Sequence, residues 1–277
     1  MLYIDSDNAL GSLLGDVDDG FALSALFAGY QGKIAAVGSV FGNTSTGKAL
    51  RNTRFIGMHL GFHGPYVKGA GAAQERPTEA SRFLVDAKVQ RIAALGPLTN
   101  VAAALVKDPT LADRIEECLL IGSHHKTAGR WPPIFPMEFN LTKDLWATHI
   151  TFASDIPLTI VPLDVAARLR LQHSDLKQIK GPLGIRLRLY TQPWQMRSRL
   201  VKGTAKFPIW DLVGAMYLIS PEHFRCEETH ARLARNGHVT YGASGRPVKL
   251  ITGFDVDRVW DRFLETLRMH PMQLGSG

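Results

Sequence analysis

A chain of 277 residues, 45% of them apolar and 21% charged, is long enough to bury one sizeable core, or a core with a small appended lobe. No stretch reaches the roughly 18 uninterrupted apolar residues that a membrane span needs. The net charge of +7 would suit a nucleic-acid partner, but the cations are dispersed apart from a cluster of Arg186, Arg188, Arg197, Arg199, Lys202 and Lys206, and no recognisable nucleic-acid-binding module accompanies them.

In chain order, the first predicted strand is Met1–Ile4. It has neither a basic leader nor an apolar h-region, so a cytoplasmic protein is expected. The strand runs into Asp5-Ser6-Asp7-Asn8, then a loop bearing Gly11 and Gly15, then Asp16-Val17-Asp18-Asp19, which opens a helix predicted over Asp19–Phe27. A second strand, Ile34–Val40, ends at Gly42-Asn43-Thr44 before a helix at Thr46–Leu60. A third, Arg91–Leu95, leads through Gly96-Pro97-Leu98-Thr99-Asn100 into a helix ending at Lys107. After a fourth, Cys118–Ile121, come Gly122-Ser123, the pair His124 and His125, an ordered proline-rich loop at Trp131–Pro136, and Glu138-Phe139-Asn140. Further helices are predicted at Leu145–Ala153, Ser174–Lys180, Ile209–Ile219 and Asp255–Arg268, and further strands at Leu158–Val161 and Val248–Ile251. Cys118 and Cys226 do not make a disulfide framework.

Short strands alternating with helices predict an α/β fold over residues 1–277: one domain with a mainly parallel, doubly wound, Rossmann-like sheet and helices on both faces. Ligands in such folds sit beyond the carboxyl ends of the strands, so polar residues just after each strand carry the most weight. Five carboxylates fall between Asp5 and Asp19. Asp16 to Asp19 on their own read as caps and first-turn acids that favour the helix dipole. That account leaves out Asp5 and Asp7 at the strand end. Crowded carboxylates raise one another's pKa unless a cation compensates, and a set of oxygen ligands without His or Cys favours Ca²⁺ or Mg²⁺. Asn43 serves equally as a turn residue, and Thr99 or Asn100 as a helix cap. Glu138 and Asn140, two apart in an extended segment, can face one cleft.

Taken together, Asp5-Ser6-Asp7 with Asp18-Asp19, Val40-Phe41-Gly42-Asn43-Thr44, Gly96-Pro97-Leu98-Thr99-Asn100, Glu138-Phe139-Asn140, Val161-Pro162-Leu163-Asp164-Val165, Trp210-Asp211 and the tail Phe254–Trp260 resemble the inosine-uridine-preferring nucleoside hydrolase family, in the family's order and across nearly the whole chain. The resemblance implies Ca²⁺-dependent hydrolysis of the N-glycosidic bond of a ribonucleoside. By it, Asp7, Asp19, Asp211 and the backbone carbonyl of Leu95 hold the ion, and Asp7 is also the base for a water bound there. Asp18, Asn43, Glu138 and Asn140 grip the ribose hydroxyls. A homo-oligomer, dimer or tetramer, is implied in the same way. Breaking the bond builds positive charge on the sugar, which nearby carboxylates stabilise.

The chain departs from the family pattern in three places. Asn8 to Val17 replaces a short Pro-Gly turn, so either Asp18 and Asp19 return to the usual position or Asp16 stands in for one of them. Trp210 occupies the position where the family often has a proton-donating His; an indole can stack on a base but not protonate it. His124 and His125 are possible replacements on the base side, or plain loop residues. The segment from Gly69 to Lys88 is short, and Trp131-Pro132-Pro133 stands where a ribose-contacting Asn is often found. Ribose recognition is thus expected to be retained and base recognition to be non-standard. Two rivals remain. One is a non-catalytic nucleoside or sugar binder on the same scaffold, raised by Trp210. The other is a haloacid-dehalogenase-like phosphatase, which also opens with Asp-x-Asp but needs a late acidic pair that is not found here.

Overall fold

The computed structural model describes residues 1–12, 15–125, 138–204 and 206–270, without the side chains of residues 197, 198, 201 and 202. Its strands are β1 (Leu2–Ser6), β2 (Ile34–Ser39), β3 (Tyr66–Lys68), β4 (Arg91–Ala94), β5 (Glu117–Ile121), β6 (Leu158–Val161), β7 (Arg170–Leu171), β8 (Phe207–Pro208), β9 (Phe224–Leu233), β10 (Val239–Gly242) and β11 (Arg246–Phe254). Nine of them form one sheet in the order β10-β9-β11-β6-β5-β4-β1-β2-β3. From β11 to β3 every neighbouring pair is parallel, and β9 pairs antiparallel with both β10 and β11. The mainly parallel α/β sheet expected from the alternation is what forms.

Central strands buried on both faces alternate their apolar side chains between two cores. Leu2 and Ile4 of β1, with Leu119 and Ile121 of β5, enter one core. Tyr3, with Cys118 and Leu120, enters the other. Helix α1 (Asp18–Gly29), helix α2 (Thr46–His59) and the helices Trp210–Ile219 and Val256–Met269 cover the first face. Helices α3 (Glu79–Asp86), α4 (Thr99–Lys107) and Leu145–Ala153 cover the second. The chain leaves β1 toward β2 and β3 on one side, then returns to β4, β5 and β6 on the other. Successive connections therefore diverge at β1 and β4, and a crevice opens beyond the carboxyl ends of those two strands.

Several elements differ from the sequence expectation. β1 runs through Ser6, so Asp5 lies within the strand rather than after it. The helix predicted at Ser174–Lys180 is the short turn His173–Leu176. The longest helix, Gly181–Lys202, was not predicted, because Gly181, Pro182, Gly184 and Pro193 punctuate its pattern. Its packing stripe is nevertheless regular: Leu183, Leu187, Thr191 and Gln195 are all buried. β9 was missed because Arg225, Glu227, Glu228 and Arg232 break any apolar run. The proline-rich loop at Trp131–Pro136 lies outside the described residues. Both cysteines are free, Cys118 buried and Cys226 exposed. Among the described residues no helix is long and apolar enough to cross a membrane.

Candidate functional site

Asp7 stands just past β1 in the crevice and is fully buried. Its Oδ2 accepts the backbone N–H of Asn43 at 2.6 Å. The turn after β2 comes so close that a Cβ at Gly42 would overlap the Asp7 carboxylate, which is the physical reason for glycine at that place. α1 and the helix Trp210–Ile219 pack along each other with their first turns in the same crevice, so Asp18, Asp19 and Asp211 meet. One carboxylate oxygen from each lies within 4.8 Å of the other two, and all three residues are buried. The positive ends of two helix dipoles offset only part of that charge.

First-turn acids that serve only the dipole remain in water; these do not. Burial, then the neighbouring carboxylates, hold Asp18, Asp19 and Asp211 well above the ordinary carboxylate range. Asp7 is pushed up to about 6 by burial, against the lowering effect of the Asn43 N–H. Ser6 donates its hydroxyl to Asp19 Oδ1 at 2.5 Å. Asp7 Oδ1 and Asp19 Oδ2 are buried without a hydrogen-bond partner among the described residues. Buried carboxylate oxygens left without donors are costly, and either a proton shared between Asp7 and Asp19 or a bound cation would satisfy them. The donor set is all oxygen, which fits a hard divalent ion. Asp16 belongs to the same acidic group, its carboxylate hydrogen-bonding the Asp18 side chain and adding its charge beside Asp7, Asp19 and Asp211, and it also has a local part. Its Oδ1 accepts the backbone N–H of Val17 at 2.6 Å and that of Asp18 at 3.4 Å, turning the chain into α1.

The other expected residues line neighbouring walls. Asn140 opens a short helix and spends its amide hydrogens on the carbonyls of Leu95, at 3.0 Å, and Ile121, at 3.1 Å. This clamps the ends of β4 and β5 together, and its side-chain oxygen is the atom left for a ligand. Glu138 is buried and pushed up to about 7 by desolvation. Its Oε2 accepts the Leu141 N–H at 2.6 Å, while Oε1 has no partner among the described residues. Ser123, whose N–H also reaches Glu138, holds φ at 66°, a left-handed conformation that is uncommon without glycine. Trp210 is half-buried, and its indole N–H is buried without a hydrogen-bond partner among the described residues. The His125 N–H donates to Asp164 at 2.8 Å and its ring meets Tyr241 edge-on, while burial lowers the pKa of His124. Trp131-Pro132-Pro133 lies outside the described residues.

Asn100 has another role than the one expected of it, and Asp144, Lys48 and Arg51 had none assigned on sequence grounds. Asn100 is a buried hub rather than a cap: its amide donates to both Asp5 oxygens and to the Ser39 carbonyl, and its oxygen accepts from Ala70 N–H and the Thr78 hydroxyl. Asp144 ties Thr99 and the backbone of Gln74 to the start of the helix Leu145–Ala153. Lys48 and Arg51 on α2 border a pocket next to Asn43. The only advance signal for that pair was the basic spacing after Gly42-Asn43-Thr44.

A sequence model of the inosine-uridine preferring nucleoside hydrolases matches residues 2–261. The chain is 25% identical over 219 residues to a pyrimidine-specific ribonucleoside hydrolase, RihB, of Escherichia coli, covering 72% of this chain and 68% of that protein. It is 23% identical over 276 residues to uridine nucleosidase 1 of Arabidopsis thaliana, covering 85% of this chain and 79% of that one. Among solved structures, a purine-preferring ribonucleoside hydrolase from Gardnerella vaginalis superposes with a TM-score of 0.82 at 20% identity, over 96% of this chain and 97% of that one. An inosine-uridine preferring nucleoside hydrolase from Bacillus anthracis gives 0.76 at 16% identity, over 96% and 98%. With its order of motifs, its sheet and the family match all coinciding, the chain belongs to the inosine-uridine preferring nucleoside hydrolase family, enzymes that hydrolyse the N-glycosyl bond of ribonucleosides.

Proposed function

We propose that this chain is a Ca²⁺-dependent ribonucleoside hydrolase with a non-standard base preference. The observation that carries the reading is the buried cluster of Asp7, Asp18, Asp19 and Asp211, two of whose oxygens have no donor among the described residues. Asp7, Asp19 and Asp211, with the Leu95 carbonyl, would hold the ion, and Asp18 would serve as the wall shared with the ribose. A bound divalent cation supplies the charge that keeps these carboxylates ionised and acidifies water in its coordination shell. Asp7 accepts the proton from the attacking water, its base character raised by burial and its orientation fixed by the Asn43 N–H. As the bond to the base breaks, the surrounding carboxylates face the positive charge that develops on the ribosyl ring. Asn43, Glu138 and the free oxygen of Asn140 grip the ribose hydroxyls, leaving Trp210, His124 and His125 on the base side. The relatives named above take pyrimidine, uridine or purine substrates according to their names, which is consistent with one ribose site serving different bases.

The test is ribose release from a panel of purine, pyrimidine and modified ribonucleosides in Ca²⁺. Release that stops with chelator is the expected result. Trp210 favours one second reading, a nucleoside binder without turnover, because no proton donor stands at that place. That reading expects Ca²⁺-dependent nucleoside binding with no ribose released from any member of the panel.

A further inference from the structure

Beside the acidic cluster lies a pocket of opposite character. It has a volume of about 550 Å³ and is lined by Gly11 and Gly15 of the loop after β1, by Asn43 and Thr44, and by Lys48 and Arg51 of α2. No carboxylate is among the described residues that line it. Lys48 and Arg51 are three apart on a helix and so project on one face. Neither makes an ion pair among the described residues, and both are exposed. The pocket is anchored to the reaction site at two points. Asn43, in its wall, donates its N–H to Asp7, and Asn52 donates its side-chain amide to the Asn8 carbonyl at 2.9 Å. On its outer side the loop is braced where Gly11, at φ +83°, lies against the Tyr190 ring. A ligand spanning both regions meets an acidic floor at one end and a lysine and an arginine at the other.

We infer that this pocket binds an anionic group carried by the substrate, so that the preferred substrate is an acidic nucleoside rather than a neutral one. The placement rests on the hydrolase reading, which puts the ribose against Asn43. Two sources share the chemistry: a phosphate monoester on the ribose, or a carboxylate on the base. An anion held by a lysine and an arginine in a half-open pocket gains on the order of tenfold in affinity over its neutral parent.

The experiment is calorimetric titration of the Asp7→Asn protein in Ca²⁺, where turnover is suppressed, with uridine, inosine, their 5′-monophosphates and orotidine. The expected result is that an acidic ligand binds about tenfold or more tightly than its neutral parent, and that the gain shrinks as salt rises. The double variant K48Q/R51Q is expected to collapse the ratio of acidic to neutral affinity toward one. A gain confined to the monophosphates identifies phosphate on the ribose; a gain confined to orotidine identifies a carboxylate on the base. Equal affinities, an acidic preference that survives K48Q/R51Q, or no binding of any acidic ligand would each overturn the inference. Because binding is read rather than turnover, the hydrolase reading stands or falls separately, on ribose release from the neutral nucleosides.

Discussion

Asp7 and Asp16 carry the same side chain in the same acidic stretch, and their surroundings give them opposite expectations. Asp7 is buried, takes one N–H from Asn43 and leaves one oxygen without a donor among the described residues. Replacing it by Asn keeps the shape but removes the base and a charge, so Asp7→Asn should lower turnover by about 10²–10⁴-fold in a chain that still folds. Near-normal turnover in that variant would remove Asp7 from the reaction. Asp16 uses its Oδ1 to receive the Val17 and Asp18 N–H groups, a role an Asn oxygen fills equally well. Asp16→Asn should therefore stay within about threefold of normal turnover, and loss of Ca²⁺ binding in it would move the ion toward Asp16. The residues themselves were legible in the sequence, because carboxylates packed behind a strand end have few structural uses. Their partners were not. Nothing in the sequence says that the Asn140 amide would clasp two strand-end carbonyls, or that Asn100 would reach back to Asp5, since both contacts join segments far apart in the chain.

At the scale of elements, the site depends on how closely the helix Trp210–Ile219 lies on β5. A Cβ at Gly214 would meet Ile121 at 2.8 Å and Leu119 at 3.0 Å, so these two side chains set the height of the helix that carries Asp211. Leu119 is fully buried there. Leu119→Ala should cost about 2–5 kcal/mol in a denaturant melt, and it should weaken Ca²⁺ binding measured by calorimetry, because Asp211 loses its backing. Full stability in that variant would show that the core closes over the gap. Parallel strands buried on both faces were easy to read as apolar runs followed by helices. The charged strand β9 and the proline-punctuated helix Gly181–Lys202 were not, because a half-solvated strand and an interrupted helix have no clean period.

For the whole molecule, the raised carboxylates tie stability to pH and to the ion. Asp7 titrates near 6 in the folded chain, above its ordinary value of 3.8. A carboxyl raised on folding favours the fold below its unfolded pKa, and that contribution is lost as pH climbs through the folded value. Asp18, Asp19 and Asp211 are shifted in the same direction. In chelator, the melting temperature should therefore fall between about pH 4.5 and pH 7.5, and Ca²⁺ should restore it most at the upper end, where the ion need not displace protons. A chelated protein whose melting temperature rises over that interval would mean that the carboxylates are already compensated by the chain itself.

The backbone N–H of Asp211 bonds to the Asp18 carboxylate across 193 positions of the chain. During synthesis, Asp18 and Asp19 thus emerge long before the helix Trp210–Ile219 that encloses them. Until that helix docks, they are more open to water at the start of α1 and lack Asp211 to crowd them. The nascent chain is spared the electrostatic cost of its own centre while the sheet assembles, and only a nearly finished chain acquires it. A fragment ending before Trp210, however well its first strands pair, would carry the motif without the site.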